Sequence, residues 1–410
     1  MDTWMIVCPV YFWATLTPKA VAIETRNETI TYATLNQHVK ATEPRAHLVC
    51  DDPLQTVINL IAAFRSGYCV QLLDPQSRHT VPDIPEYWHT NKLMPNCWSI
   101  TKPSTIIYTS GSSATPKGVI HNLEQHIWAA LGAVQANQFL NTDAWLLNLP
   151  LHHVSGLSIF FRVLLRGARL VIPPKPNAFL MDLHRATHLS VVLPQLQRLI
   201  ANKGNYSQLK YVLLGGSSCP EQIIAKARLC GIPLAVSYGL TEMCGQVSTS
   251  VGDDVNGRVL PYRSVYIDHN QIYVLGRCRC LGYWTPAGIL LHTHAQAGLA
   301  TRDQGMLQGN QIMVTGRLDA MFISGGENIQ PEAIERVLLS HPSIQACCVV
   351  PKRCSVYGHR PVAFIEPMAD DISDWANQRL HPYQRPVRYY PWPNNISHIK
   401  PNRAKLTQLV

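Results

Sequence analysis

Short apolar runs alternating with helically spaced segments predict an α/β protein: a large multi-layer N-terminal domain on a mostly parallel sheet, plus a small α+β lid domain. Three observations on the 410-residue sequence carry this. Apolar runs and amphipathic segments take turns from Thr105 to Leu240. After about residue 250 the texture changes to polar–apolar alternation. Near Asp319 the chain restarts as a separate unit of helix and strand.

The runs TIIYT, AWLLNL, ARLVIP, LSVVLP, KYVLLG and LAVSYG read as strands buried on both faces. Between them, LEQHIWAALGAVQA, GLSIFFRVLLR and EQIIAKARL carry apolar residues at helical spacing. Strand, helix, strand in this order implies one mostly parallel sheet covered by helices. SVYIDHNQIYVLG predicts a hairpin turning at His269-Asn270, and QIMVTGRLDA closes the region. In the small unit, PEAIERVLLS predicts a helix with Pro331 in its first turn and Ile334, Val337 and Leu338 on one face. Strands ACCVVP and PVAFIEP and a helix ISDWANQRL follow. The expected domains are 1–318 and 319–410.

Apolar residues make up 46% and charged residues 15%, which favours large cores over disordered tracts. No apolar run reaches the ~18–20 residues of a membrane span. The start, MDTWMIVCPVYFWATL, lacks a basic n-region and a cleavage site, so no signal peptide is expected. The 12 cysteines form no CxxC pair, and their spacing supplies no obvious zinc set. Reduced thiols in a cytoplasmic protein are expected. The net charge of +9 suits anionic ligands, but the basic residues form no stripe, so nucleic acid is not the expected partner.

The most informative stretch is TIIYTSGSSATPKGVIHN. A buried strand runs into Thr109, Ser110, Gly111, Ser112, Ser113, Ala114, Thr115, Pro116, Lys117 and Gly118. Hydroxyls, backbone N–H groups and one lysine can surround a polyphosphate. The spacing is not that of a Walker A loop.

This loop resembles the [ST]SG[ST]TGxPKG signature of the acyl-adenylate-forming superfamily of acyl-CoA synthetases, peptide-synthetase adenylation domains and luciferases. Ala114 stands where the family's second glycine lies, which would strain a left-handed position by ~1 kcal/mol or more. Further motifs follow in the family's order. PLHHVSG resembles PLFHxxG and puts His153 beside the acyl group. By resemblance Gly215, Gly216 and Ser217 lie against the adenine, and Tyr238-Gly239-Leu240-Thr241-Glu242 matches YGxTE. Tyr238 is then expected to flank the adenine and Thr241 to contact the α-phosphate. Glu242 would hold Mg²⁺, a hard cation that wants a carboxylate. Asp303, in TRDQG, would accept the ribose hydroxyls; Arg302 replaces the usual glycine. Arg317 would lie near the ribose and Asp319 at a hinge. Ser324-Gly325-Gly326-Glu327 resembles the loop that meets CoA. The family draws its catalytic lysine from a C-terminal GKxxR; Lys400 has Arg403 at that offset, the glycine is missing, and Lys405 is the rival.

PLHHVSGLSIFFRVLLRGARLVI, SGGENIQPEAIE and HRPVA resemble one branch, the o-succinylbenzoate–CoA ligases of menaquinone and phylloquinone synthesis. The branch implies ATP, Mg²⁺ and CoA, with an aromatic dicarboxylic acid as substrate. Arg162, inside an otherwise apolar helix, is the candidate partner for its second carboxylate; a surface-facing arginine is the alternative. Ligation of another aromatic or short-chain acid, loading of a carrier protein, and an inactive nucleotide-binding protein stay open. A homodimer is compatible with the family, without an interface signal in the sequence.

Overall fold

The computed structural model describes residues 4–76, 81, 83–89, 93–109, 117–217, 219–250, 252, 256–285, 288–291, 297–394, 396 and 401–410. It is an α/β structure with a large N-terminal part and a small C-terminal one, the class the alternation predicts.

The main sheet has a parallel half and an antiparallel half. Leu234–Leu240, Tyr211–Leu214, His188–Val191, Ala144–Leu146, Arg169–Val171 and Val21–Glu24 are successive parallel neighbours. Their central residues are buried on both faces, which is why these runs read as continuously apolar. Helices Leu123–Asn137, Val154–Arg166, Leu193–Asn202 and Glu221–Leu229 connect or cover them. The first is fixed by a capping box between Asn122 and Gln125. The second ends at Gly167 in the left-handed conformation.

At Leu234–Leu240 the sheet turns antiparallel, continuing through Gly245–Thr249, Gly257–Val259, Gln311–Arg317, Leu299–Gln308, Gln271–Gly276 and Arg263–Asp268. The hairpin expected at His269-Asn270 is present, with φ of 47° and 63° at its two turn residues. Two left-handed residues match the right-handed twist of the flanking strands.

One expectation needs correction. TIIYT does not join the parallel sheet. Its strand, Pro103–Thr109, pairs antiparallel with Lys117–Asn122 and parallel with Val70–Leu73, in a separate six-stranded sheet. The Ser/Gly-rich stretch therefore joins two strands of a hairpin rather than a strand to a helix. An apolar run reports burial, not which sheet does the burying. The pattern also assigns nothing before Thr105, where helices Tyr32–Ala41 and Pro53–Arg65 are capped by Thr31 and Asp52.

The main sheet's last strand in sequence ends at Arg317, and the next strand, Phe322–Ser324, lies in a third sheet with Glu327–Ile329, Gly358–Glu366, Ala346–Cys354 and Tyr389–Pro391. Helix Pro331–Leu339 packs Ile334 and Leu338 on that sheet, with Val337 only partly buried. Gln330 reaches back to donate to the Arg317 carbonyl at 3.0 Å. Among the described residues no helix is long and apolar enough to cross a membrane.

Candidate functional site

The strand order brings together residues far apart in sequence. Asp303 and Arg317 face each other as register partners on adjacent antiparallel strands. Arg317 Nη1 donates to Asp303 Oδ1 at 2.9 Å, and the Tyr238 hydroxyl donates to Asp303 Oδ2 at 2.7 Å. Arg317 also forks onto Asp319, Nε and Nη2 each at 2.8 Å. Burial raises the Asp303 carboxyl above the usual carboxylate range, against the pull of Tyr238 and Arg317. The Arg317 hydrogen bond holds Asp319 below that range. Burial and the Asp303 charge raise the Tyr238 phenol. Each Asp303 oxygen accepts one bond here and has capacity for a second, so ribose hydroxyls have places to donate.

Thr241 and Glu242 sit in the short turn Thr241–Met243 that follows Leu234–Leu240. Glu242 Oε1 accepts from the Tyr283 hydroxyl at 3.1 Å, and the Cys280 amide holds the Glu242 carbonyl at 2.7 Å. His121 Nε2 lies 2.9 Å from the Thr241 carbonyl oxygen. Two motif glycines are required by the backbone, one for a close approach and one for a left-handed conformation. A Cβ on Gly239 would lie 2.1 Å from the Gly245 carbonyl oxygen, and Gly216 has a φ of +92°. Gly215 and Ser217 flank it at the end of strand Tyr211–Leu214, where open α/β sheets bind ligands. Arg302 takes φ 63°, so the position where the family has glycine is left-handed here as well.

Of the phosphate loop, Thr109 and Lys117 are described and pair across the hairpin. Lys117 is exposed. Ser110, Gly111, Ser112 and Ser113 lie outside the described residues, as does Lys400. Thr109 Oγ1 lies 3.5 Å from the Lys117 carbonyl oxygen, and among the described residues neither side chain bonds to the Tyr238–Asp303 network.

His153 is the residue before helix Val154–Arg166, its ring 4.4 Å from that of His152. Gly156 lets this helix start against the Pro150 carbonyl, 2.2 Å from where a Cβ would stand. Arg162 is 3% exposed, which removes the surface-facing alternative. Its Nη2 donates to Gln246 Oε1 at 2.6 Å, and its guanidinium stands over the Trp145 ring at 4.9 Å. Nε is buried without a partner. Burial lowers its pKa to about 10, so it stays charged at neutral pH. Gln246 in turn donates to Thr249 Oγ1 at 2.7 Å.

In the C-terminal part, Gly325 and Gly326 form the tight turn between Phe322–Ser324 and Glu327–Ile329, with φ of 59° and 90°. The Gly325 amide donates to the Tyr357 carbonyl at 2.9 Å. Arg403 clamps the tail: it bonds Glu335 Oε1 at 2.5 Å, Glu332 Oε1 at 3.0 Å and the Val349 carbonyl. Lys405 lies in the terminal helix Arg403–Thr407 and is exposed. Tyr283, Gln246 and Trp145 escape the motif analysis. None belongs to a short motif, and each meets its partner across a long stretch of sequence.

This arrangement defines a class. The chain belongs to the AMP-binding enzyme family, whose model matches residues 40–284, with the AMP-binding enzyme C-terminal domain matching residues 333–394. Within it the chain falls among the 2-succinylbenzoate–CoA ligases. It is 37% identical over 319 residues to that of Escherichia coli, covering 76% of this chain and 70% of the relative. It is 36% identical over 319 residues to that of Haemophilus influenzae, covering 74% and 70%. Among solved structures, wild-type E. coli MenE with a bound m phenylether-linked analogue of OSB-AMS matches with TM-score 0.77 and 29% identity, over 100% and 99% of the two chains. MenE from Bacillus subtilis in complex with the acyl-adenylate intermediate OSB-AMP matches in fold, with TM-score 0.83 and 22% identity over 98% of each chain.

Proposed function

We propose that this chain is an AMP-forming acid–CoA ligase acting on 2-succinylbenzoate, in menaquinone or phylloquinone biosynthesis. The observation that carries this is the joining of Tyr238, Asp303, Arg317 and Asp319 into one network beside Glu242, in a chain related to such ligases over three-quarters of its length.

ATP and the acid bind first. Gly215, Gly216 and Tyr238 lie against the adenine, and Asp303 with Arg317 holds the ribose. Ser110 to Ser113 and Lys117 take the phosphates, and Thr241 orients the α-phosphate. The Glu242 carboxylate, half-buried and steadied by Tyr283, fits a hard cation. Magnesium, when bound, neutralises charge on the phosphate oxygens. Arg162 pairs with the benzoate carboxylate, and His153 borders the acyl group. The succinyl carboxylate attacks the α-phosphorus, forming the acyl–phosphate bond and releasing pyrophosphate. Lys400 stabilises the charge that builds on the phosphoryl oxygens. The lid, residues 319–410, then turns about Asp319, withdraws Lys400 and presents Gly325 and Gly326. The deprotonated CoA sulfur attacks the acyl carbon, the C–O bond to AMP breaks, and AMP leaves.

We also place the enzyme in the cytoplasm and expect a homodimer, to be read from sedimentation equilibrium. The function is tested by mixing the protein with ATP, Mg²⁺, CoA and 2-succinylbenzoate and following AMP and thioester. Both form in equal amounts only when all four are present, and simple benzoate is used at least about tenfold less well. Equal use of benzoate, or AMP release without CoA-thioester, contradicts the reading.

A further inference from the structure

We propose that His121, His126 and Cys244 bind a single thiophilic divalent cation of the zinc class, directly behind the turn that carries Thr241 and Glu242. One ring nitrogen from each histidine and the Cys244 sulfur all lie within 4.8 Å of one another, and all three residues are buried. They come from strand Lys117–Asn122, helix Leu123–Asn137 and the residue that ends the Thr241–Met243 turn.

The hydrogen bonds prepare both rings for ligation. The Thr241 carbonyl can only accept, so His121 Nε2 carries the proton in their 2.9 Å contact. Nδ1 is then a lone pair, and it is buried with no partner. His126 Nε2 lies 2.8 Å from the Thr105 hydroxyl. Metal-binding imidazoles characteristically hold their other nitrogen on such a polar group, which orients the ring; the Thr241 carbonyl also sets the tautomer of His121, and the Thr105 hydroxyl accommodates either tautomer of His126. Two imidazoles and a thiol suit zinc-class ions rather than magnesium or calcium. On binding, the Cys244 thiol releases its proton to solvent as the sulfur–metal bond forms.

The site is distinct from the magnesium position assigned to Glu242 and does not depend on the acid ligated. It touches the catalytic turn twice. His121 holds the Thr241 carbonyl, and the Cys244 amide donates to that same carbonyl at 3.0 Å. A bound cation ties both to one point and fixes the turn.

Chelator-treated full-length protein is titrated with Co²⁺ in the absence of nucleotide. A thiolate-to-cobalt charge-transfer band should saturate at about one equivalent and disappear when Zn²⁺ displaces cobalt. Cys244→Ala and His126→Gln should lose the band, while Cys50→Ala, altered in another part of the fold, should keep it. Saturating Zn²⁺ should raise the wild-type melting temperature by several degrees and leave Cys244→Ala unmoved. Absence of the band in the wild type, or its persistence in Cys244→Ala, overturns the proposal. If a variant does not fold, the wild-type titration and native mass after desalting decide the matter alone.

Discussion

Arg162 shows what a single buried charge requires. A guanidinium taken out of water costs several kcal/mol unless its donors are met. Gln246 and the Trp145 face meet part of that demand and Nε is left without a partner, a demand the substrate's second carboxylate meets on the proposed reading. Losing a hydrogen bond to a charged group costs ~1.5–3 kcal/mol. Arg162→Met should therefore raise KM for 2-succinylbenzoate by about 10- to 100-fold while leaving KM for ATP nearly unchanged, as steady-state kinetics will read. Arg162 stands out in the sequence as a charge in an apolar run. Gln246 does not, because nothing local marks a glutamine that pairs 84 positions away. His188 is another buried group without a sequence signal. Its pKa is lowered to about 4, chiefly by burial and also by Lys210 and Arg162, with Asp143 opposing. The unfolded chain binds a proton near pH 6.5 and the folded one only near pH 4, so this stability is complete above about pH 6.5 and is lost on acidification. By pH 5 the loss is on the order of 2 kcal/mol. Urea midpoints at pH 7.5 and pH 5 should differ less in His188→Gln than in the wild type.

Elements are governed by conformations that particular residues permit. The strand Leu234–Leu240 changes register between Tyr238 and Gly239, and only a hydrogen fits where Gly239 meets the Gly245 carbonyl. Gly239→Ala should cost about 1–3 kcal/mol by overpacking, seen as a lower melting temperature. It should also weaken ATP binding through displacement of Tyr238 and Glu242. Arg302 is the opposite case, a large side chain at a left-handed position. Arg302→Gly relieves ~1 kcal/mol of strain, a gain partly offset by backbone entropy, and should not lower the melting temperature. The motif reading could flag this arginine as a departure; only the backbone shows that the position is strained. It could equally well assign TIIYT as a strand but not its sheet, since pairing partners are set by long-range contacts.

At the scale of the whole molecule, the large N-terminal part holds the Tyr238–Asp303–Arg317 network and the small C-terminal part carries the chain's tail. Arg403 pins that tail to helix Pro331–Leu339 and strand Ala346–Cys354. Its bonds to Glu332 and Glu335 fix where the chain emerges three residues after Lys400. Removing it leaves two acidic groups uncompensated, so Arg403→Ala should destabilise the lid by about 2–4 kcal/mol. Hydrogen exchange should then show lost protection over residues 331–410 and unchanged protection in the main sheet. A large N-terminal and a small C-terminal part were legible in the sequence from the change of texture and the restart of helix and strand after Arg317. The contacts between the parts, such as Gln330 to the Arg317 carbonyl, follow no such pattern.

The central claim is that a lysine on the mobile lid serves adenylation and then withdraws. It is tested most directly by separating the two half-reactions in Lys400→Ala. Pyrophosphate release from ATP and 2-succinylbenzoate should fall by at least about 100-fold, the scale of one lost transition-state charge contact, while thioester formation from supplied acyl-adenylate and CoA stays near the wild-type rate. Equal loss of both half-reactions, or no loss of the first, would contradict it.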